Sequence, residues 1–261
     1  MPWVFMAAAF AALAAEPTPL PNAHSHNDYA HARPLLDALD QGFCSVEADI
    51  FLVDGKLLVG HNRTNLAKAR TLQGLYLEPL RERIIKNSGR VYPGGPGFWL
   101  LIDLKSEWHQ LYPALNQVLT SYSNMLTEFN ATGKIPRAVT VVISGDRSRE
   151  MFTGATVRYA AYDGDLTDLD GGASPDVIPW ISANWTTQFK WRGRGAFPEA
   201  DRQKLQAYAA KTRQQERLLR FWGAPDQAAC WAELKAAGVD LINTDNLAGL
   251  KNWLLQDAKK Q

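Results

Sequence analysis

The chain has 261 residues, 46% of them apolar and 21% charged, which is the composition of an ordinary globular protein with room for one large domain. Its formal net charge of +1, with Lys and Arg spread along the chain, leaves no electrostatic footprint for nucleic acid or an anionic membrane. Two cysteines, Cys44 and Cys230, are too few for a disulfide framework, and both sit among apolar neighbours as buried free thiols do.

Residues 3–15 are apolar, Ala-rich and uncharged, and Glu16 and a Pro-rich stretch follow them. That length suits the hydrophobic region of a signal peptide, with Ala12-Leu13-Ala14 as a small-x-small cleavage site, although no Lys or Arg precedes the run. It is too short for a transmembrane segment, which needs about 20 residues. The expectation is a signal peptide over 1–15, a folded domain over 16–261, and a secreted or periplasmic protein. The competing reading of the segment is an N-terminal helix of the fold.

Beyond it, short runs rich in β-branched and aromatic residues alternate with longer helical patterns, which argues for a parallel sheet with crossover helices. The first strand falls at 21–25, a helix at 34–41 and the second strand at 43–52. A helix at 77–86 precedes the third strand at 98–104, and a long helix at 109–129 precedes the fourth at 139–144. A short helix near 147–152 leads to the fifth strand at 156–162, and an irregular Asp- and Gly-rich connection at 163–179 leads to the sixth at 181–184. A helix at 198–215, a strand at 218–222, a helix at 228–237 and a strand at 241–243 complete the pattern. Eight strands is the number that closes a barrel, so the expected fold class is α/β, a single (β/α)8 TIM barrel.

Functional residues of such barrels sit at the C-terminal ends of the strands. Here the first strand ends in His24-Ser25-His26-Asn27-Asp28, the second carries Glu47 and Asp49, the extended stretch after it reaches His61, and the third carries Asp103 and Lys105. Strand periodicity puts Ser45, Glu47 and Asp49 on one face and Cys44, Val46 and Ala48 on the other, so the carboxylates point into the barrel. Three carboxylates in a barrel mouth repel one another unless a cation neutralises them, and oxygen-only ligands favour one hard divalent ion, Mg²⁺ or Ca²⁺. Two histidines from neighbouring strands then suit general acid and general base, and Lys105 suits charge developing on phosphoryl oxygens. Each residue alone has a structural explanation, such as an Asp103–Lys105 ion pair. What argues for a site is their ordered placement at three successive strand ends.

The segment HSHNDYAHARPLLDALDQGFCSVEADIFLVDGKLLVGH resembles the start of the phosphatidylinositol-phospholipase-C-like phosphodiesterase superfamily, closest to its glycerophosphodiester phosphodiesterase and sphingomyelinase D branch. The matching features are His26, the Glu47-Ala48-Asp49 strand, the Asp54-Gly55 turn, His61 and the acidic-x-Lys signature Asp103-Leu104-Lys105. Late in the chain, RFWGAPD with Trp222 and GVDLINTDNLAGL with Thr244-Asp245 resemble the seventh and eighth strands of that family. The resemblance implies a barrel holding one divalent cation through Glu47, Asp49 and Asp103, with His26 and His61 cleaving a small-molecule or lipid phosphodiester, often through a cyclic phosphate. Typical glycerophosphodiesterases follow the first His with an Arg that contacts phosphate, and this chain has Asn27 there. It has Asp103 where Glu is usual, as sphingomyelinase D does.

His24 shares a face with His26 and is a candidate to support the site, while Asn184, Trp185 and Trp222 fall at strand ends as candidate pocket residues. The stretch from Asp163 to Asp170 resembles a calcium loop in composition but has Ser174 where the final Glu belongs, and it reads as a solvated turn. His31 and His109 take no role. The functional expectation is a metal-dependent phosphodiesterase. Its rivals are a phospholipase-D-like lyase that stops at a cyclic phosphate and a catalytically silent phosphodiester-binding barrel.

Overall fold

The computed structural model describes residues 16–259, so the expected signal segment lies outside the described residues. Eight parallel strands follow one another around the structure: β1 (Leu20–Ser25), β2 (Phe43–Val53), β3 (Phe98–Leu104), β4 (Val139–Gly145), β5 (Ala160–Gly164), β6 (Trp180–Asn184), β7 (Leu218–Trp222) and β8 (Ile242–Thr244). Each pairs with the next in sequence, and β8 returns to pair with β1. The seam between β7 and β8 is held by one parallel bridge, Arg220 to Leu241. The result is a nearly closed (β/α)8 barrel, as the alternation of the sequence requires.

The alternation along each strand sorts residues between two environments. Outward-facing Cys44, Val46, Ala48, Leu100, Ile102, Val141 and Ile143 are at most 1% exposed, packed under the surrounding helices. Inward-facing Leu101, Val142, Trp180 and Leu241 form a separate apolar plug, with Trp99 and Leu218 against it. Above that plug the inner face turns polar, with His24, Ser45, Glu47, Asp163, Ser182 and Arg220 all buried. The apolar layer seals the barrel floor and the polar layer lies toward the mouth.

The helices α1 (Leu36–Asp40), α2 (Glu78–Lys86), α3 (Trp108–Thr120), α4 (Trp185–Gln188), α5 (Glu199–Gln214), α6 (Ala228–Ala237) and α7 (Leu247–Ala258) lie in the connections. Helix α5 shows why its sequence is helical: Glu199 and Asp201 occupy its first turn and Lys211 and Arg213 its last, each complementing the helix dipole. No helix of the described residues is long and apolar enough to cross a membrane.

Two elements differ from the sequence expectation. The helix expected over 109–129 stops at Thr120, because the backbone beyond it bonds to the fourth strand, Thr127 N donating to Val139 O (2.7 Å) and Val139 N to Met125 O (3.0 Å). The fifth strand, expected over 156–162, is split. Val157–Arg158 joins a small antiparallel sheet with Glu128–Asn130 and Gly133–Ile135, and only Ala160–Gly164 enters the barrel. Arg158 drives this, its buried guanidinium donating to the carbonyls of Ala160 and Asp176 while lying over the Phe129 and Phe152 rings.

Trp185 was a pocket candidate, and its side chain is instead fully buried among Phe189, Phe197 and Phe221, with Nε1 donating to Trp191 O at 3.0 Å. Trp185→Ala therefore empties an aromatic cluster and removes one of the two donors to the Trp191 carbonyl, Arg192 Nη1 being the other. Urea unfolding should report a loss of about 3–5 kcal/mol, the cost usual for truncating a buried Trp.

Candidate active site

Register brings the acidic residues together. In the parallel pairing of β2 with β3, Asp49 stands directly beside Asp103, with Glu47 two residues earlier on the same face. One carboxylate oxygen from each of Glu47, Asp49 and Asp103 lies within 4.8 Å of the others. Lys105 follows Asp103 on the same face, and its Nζ is 3.1 Å from Asp49 Oδ2 and 3.1 Å from Asp103 Oδ1. Glu47 has a different partner, Arg220 on β7, whose Nη2 donates to Oε2 at 2.6 Å.

The electrostatics follow from this layout. Burial opposes the charge of Glu47, but the adjacent Arg220 guanidinium and the His24 hydrogen bond outweigh it and hold the carboxyl well below the usual range. Burial raises the carboxyl of Asp49, and the neighbouring Glu47 charge adds to the rise. Burial likewise pushes Asp103 up to about 6, against the pull of Lys105. Asp49 Oδ1 is buried without a hydrogen-bond partner. An unpaired carboxylate oxygen facing two other acids is costly unless a cation meets it, so the donor set fits a hard divalent ion.

Each histidine is held through Nδ1. His26, just past the end of β1, has Nδ1 2.9 Å from Asp245 Oδ1. His61 reaches the cluster because Asp54 (φ 49) and Gly55 (φ 72) make a tight left-handed turn, after which Lys56–Val59 runs back antiparallel along β2. Gly60 N then donates to Asp49 O at 3.0 Å, and His61 Nδ1 lies 2.9 Å from Asp49 Oδ2. Tyr29 links the two rings: its hydroxyl donates to Asn27 Oδ1 and lies 3.2 Å from His61 Nδ1, and the Tyr29 ring stacks near His61. Asn27 Nδ2 in turn approaches His26 Nδ1 (2.9 Å) and donates to Asp245 Oδ1 (3.3 Å).

These groups open into a cleft of about 600 Å³ at the C-terminal mouth. His26, Asn27, Glu47, His61, Asp103, Lys105, Asn184 and Trp222 all line it. His24 does not reach the cleft. It is fully buried behind Glu47, with Nδ1 2.7 Å from Ser45 Oγ and Nε2 3.5 Å from Glu47 Oε2. Burial and the nearby Arg220 lower its pKa to about 3, so it is a neutral ring whose Nε2–H faces the carboxylate. Asn27, the candidate for the substrate phosphate, lines the cleft with its amide also placed against Tyr29, His26 and Asp245.

Several residues of the site went unassigned in the sequence. Arg220 carried a signal, a charge in mid-strand between apolar residues with the inward parity of Leu218 and Trp222. Asp163, in the stretch that reads as a solvated turn, instead belongs to β5, is 1% exposed and accepts from Ser144 Oγ at 2.7 Å. Asp168 from the same stretch is also buried, paired with Arg149. Asp245 stood in the recognised eighth-strand segment without a role, and Tyr29 had no local signal. Cys44 and Cys230 are buried free thiols, as expected.

Gly145 adjoins the acids at the end of β4. Its φ is +76, and a Cβ there would collide with the Asp103 carboxylate and the Leu104 backbone. Gly145→Ala should destabilise the fold by about 1–3 kcal/mol through backbone strain. Melting curves should record that loss, and calorimetric titration with a divalent cation should show weakened binding from the displaced Asp103.

Comparison with known proteins places this geometry. Two crystal structures of glycerophosphodiester phosphodiesterases share the fold: that from Parabacteroides distasonis covers 92% of this chain and 99% of its own at a TM-score of 0.51 and 13% identity. That from Agrobacterium tumefaciens covers 90% and 100% at a TM-score of 0.52 and 13% identity. Residues 13–93, which include His26, Glu47, Asp49 and His61, match the AIM6-like phosphodiesterase domain. The altered inheritance of mitochondria protein 6 homolog of Arthroderma benhamiae is 29% identical over 265 residues, spanning 90% of this chain and 84% of that protein. Altered inheritance of mitochondria protein 6 of Eremothecium gossypii is 30% identical over 270 residues, spanning 90% and 69%. The chain belongs to this AIM6-like phosphodiesterase family, on a barrel that shares the fold of the glycerophosphodiester phosphodiesterases.

Proposed function

We propose that the chain is a metal-dependent phosphodiesterase acting on a glycerophosphodiester-like or phospholipid-like substrate, with His26 and His61 as its acid–base pair. One observation carries the reading. Two histidines, each held through Nδ1 by a carboxylate, line the same cleft as Glu47, Asp103 and Lys105, and the buried Asp49 completes the acidic cluster. A pure binding site has no need of an acid and a base.

Glu47, Asp49 and Asp103 would hold one divalent cation, Mg²⁺ or Ca²⁺, and that ion supplies charge stabilisation for the phosphoryl oxygens. Lys105 adds a fixed positive charge beside it, its ammonium held protonated because Asp103 and Asp49 outweigh the effect of burial. With Nδ1–H of His26 donated to Asp245, its Nε2 is free to take a proton from the attacking hydroxyl or water. Asp245 supports the imidazolium that forms, and its own carboxyl is held low chiefly by the hydrogen bond from His26. His61 then delivers a proton to the leaving alcohol oxygen. Export through residues 1–15 belongs to the same reading, and an N-terminally shortened product in the periplasm of a bacterial host supports it.

The test is hydrolysis of bis-(p-nitrophenyl) phosphate and a panel of glycerophosphodiesters, with EDTA and then Mg²⁺, Ca²⁺ or Mn²⁺ restored. Cleavage should vanish with EDTA, return with metal, and fall about 10²–10⁴-fold in His26→Ala and in His61→Ala. Near-wild-type turnover by either variant removes the acid–base assignment, and turnover indifferent to EDTA removes the metal. Phosphorus NMR of the products separates a linear monoester from a persistent cyclic phosphate, which would mark a lyase.

A further inference from the structure

We infer that Arg220 sets which divalent cation the site prefers, by holding back one oxygen of Glu47 so that this carboxylate offers the ion a single oxygen. The inference rests on the metal reading above and goes beyond it. Arg220 is not a mobile partner. Its side chain is 4% exposed, Nε donates to Asn243 Oδ1 at 2.9 Å, Nη1 lies 3.5 Å from Ser182 Oγ, and Nη2 donates to Glu47 Oε2 at 2.6 Å. Strands β6, β8 and β2 therefore fix one guanidinium from three sides. Neutral His24 approaches the same Oε2 from behind, at 3.5 Å. Among the described residues, Glu47 Oε1 has no hydrogen-bond partner.

The same division recurs at the neighbouring acid. Asp49 Oδ2 is committed to His61 at 2.9 Å and Lys105 at 3.1 Å, while Oδ1 is unpaired. Two of the three carboxylates thus present one free oxygen each, their second oxygens being held by cationic or hydrogen-bonding side chains. Ca²⁺ takes six to eight oxygens and readily uses both oxygens of a carboxylate, whereas Mg²⁺ takes one from each and keeps its waters. A Glu47 restricted to one oxygen favours Mg²⁺. Freed from Arg220, it can turn both oxygens to a larger ion.

The experiment is isothermal titration of the full chain with MgCl2 and with CaCl2, read as the ratio of the two dissociation constants, with circular dichroism to confirm folding. In Arg220→Met the ratio should shift at least tenfold toward Ca²⁺, and in Arg220→Lys, which keeps a donor for Oε2, it should shift less. In a Glu47→Gln background Arg220→Met should have no further effect on the ratio, since an amide offers only one oxygen. Glu47→Gln alone should weaken both ions and leave the ratio within about threefold. That arm keeps the inference falsifiable if Arg220→Met does not fold: a tenfold selective loss of Ca²⁺ in Glu47→Gln means that both Glu47 oxygens were already in use. Such a loss, or an unchanged ratio in folded Arg220→Met, overturns the role of Arg220. A wild-type chain that binds neither cation overturns the metal reading beneath it, a result distinct from either.

Discussion

Asp49 and Asp103 lie side by side because β2 and β3 are parallel and in register, and Glu47 follows from the same pleat. A barrel interior is a poor place for three adjacent carboxylates, since desolvation and mutual repulsion both oppose their charge. Much of the polar architecture answers this one constraint. Arg220 crosses from β7 to Glu47, Lys105 sits between Asp49 and Asp103, and neutral His24 donates to Glu47 from behind. The same arginine also strengthens the weakest seam of the barrel. It sits at the bridge from β7 to β8, where Leu241 N donates to Leu219 O, and its side chain reaches Asn243 across that gap. Closure of the barrel and compensation of the acids thus share a residue. Removing such a partner leaves an uncompensated buried charge, which costs far more than the pair is worth on its own.

The catalytic candidates are held in the same indirect way. Neither His26 nor His61 is fully buried, so neither ring is fixed by packing alone. Tyr29 supplies what packing does not, by bonding to Asn27 on one side and approaching His61 Nδ1 on the other. Burial raises the Tyr29 hydroxyl above its ordinary pKa, and the nearby Asp49 adds to the rise, so it stays protonated and keeps its donor. The two histidines come from different connections, and this short relay adds a link between them to the carboxylates, Asp245 and Asp49, that hold each ring.

What could be read from the sequence was whatever repeats along a strand or spans a short loop. Alternation gave the inner face of β2 and β3, and with it Glu47, Asp49 and Asp103. The Asp54-Gly55 turn gave the return of the chain to His61. The hidden part depends on partners distant in the chain. Arg220 and Glu47 are 173 residues apart, and nothing local to either tells of the other. Asp163 differs from its sequence pattern because the fifth strand starts late: Arg158 finds carbonyls and aromatic rings in the small sheet, and β5 begins at Ala160, carrying Asp163 inside the barrel. The helical pattern runs on past Thr120 in the sequence because the apolar Met125–Leu126 pair fits a helical face as well as it fits the base of β4.

The charge around the cluster closes the argument about what the mouth is suited to hold. Within the cluster itself, three carboxylates face two fixed cations, Lys105 and Arg220, which leaves one negative charge when all are ionised, and Arg147, Asp163 and Asp165 line the cleft beside them. In the proposed enzyme a divalent ion turns that into one positive charge, and a phosphodiester carries one negative charge that cancels it. The balance is set by side chains whose positions the barrel itself fixes, since Arg220 is part of its seam and Asp103 is wedged against Gly145. The charge pattern that any ligand of the mouth meets is therefore set by the construction of the barrel itself.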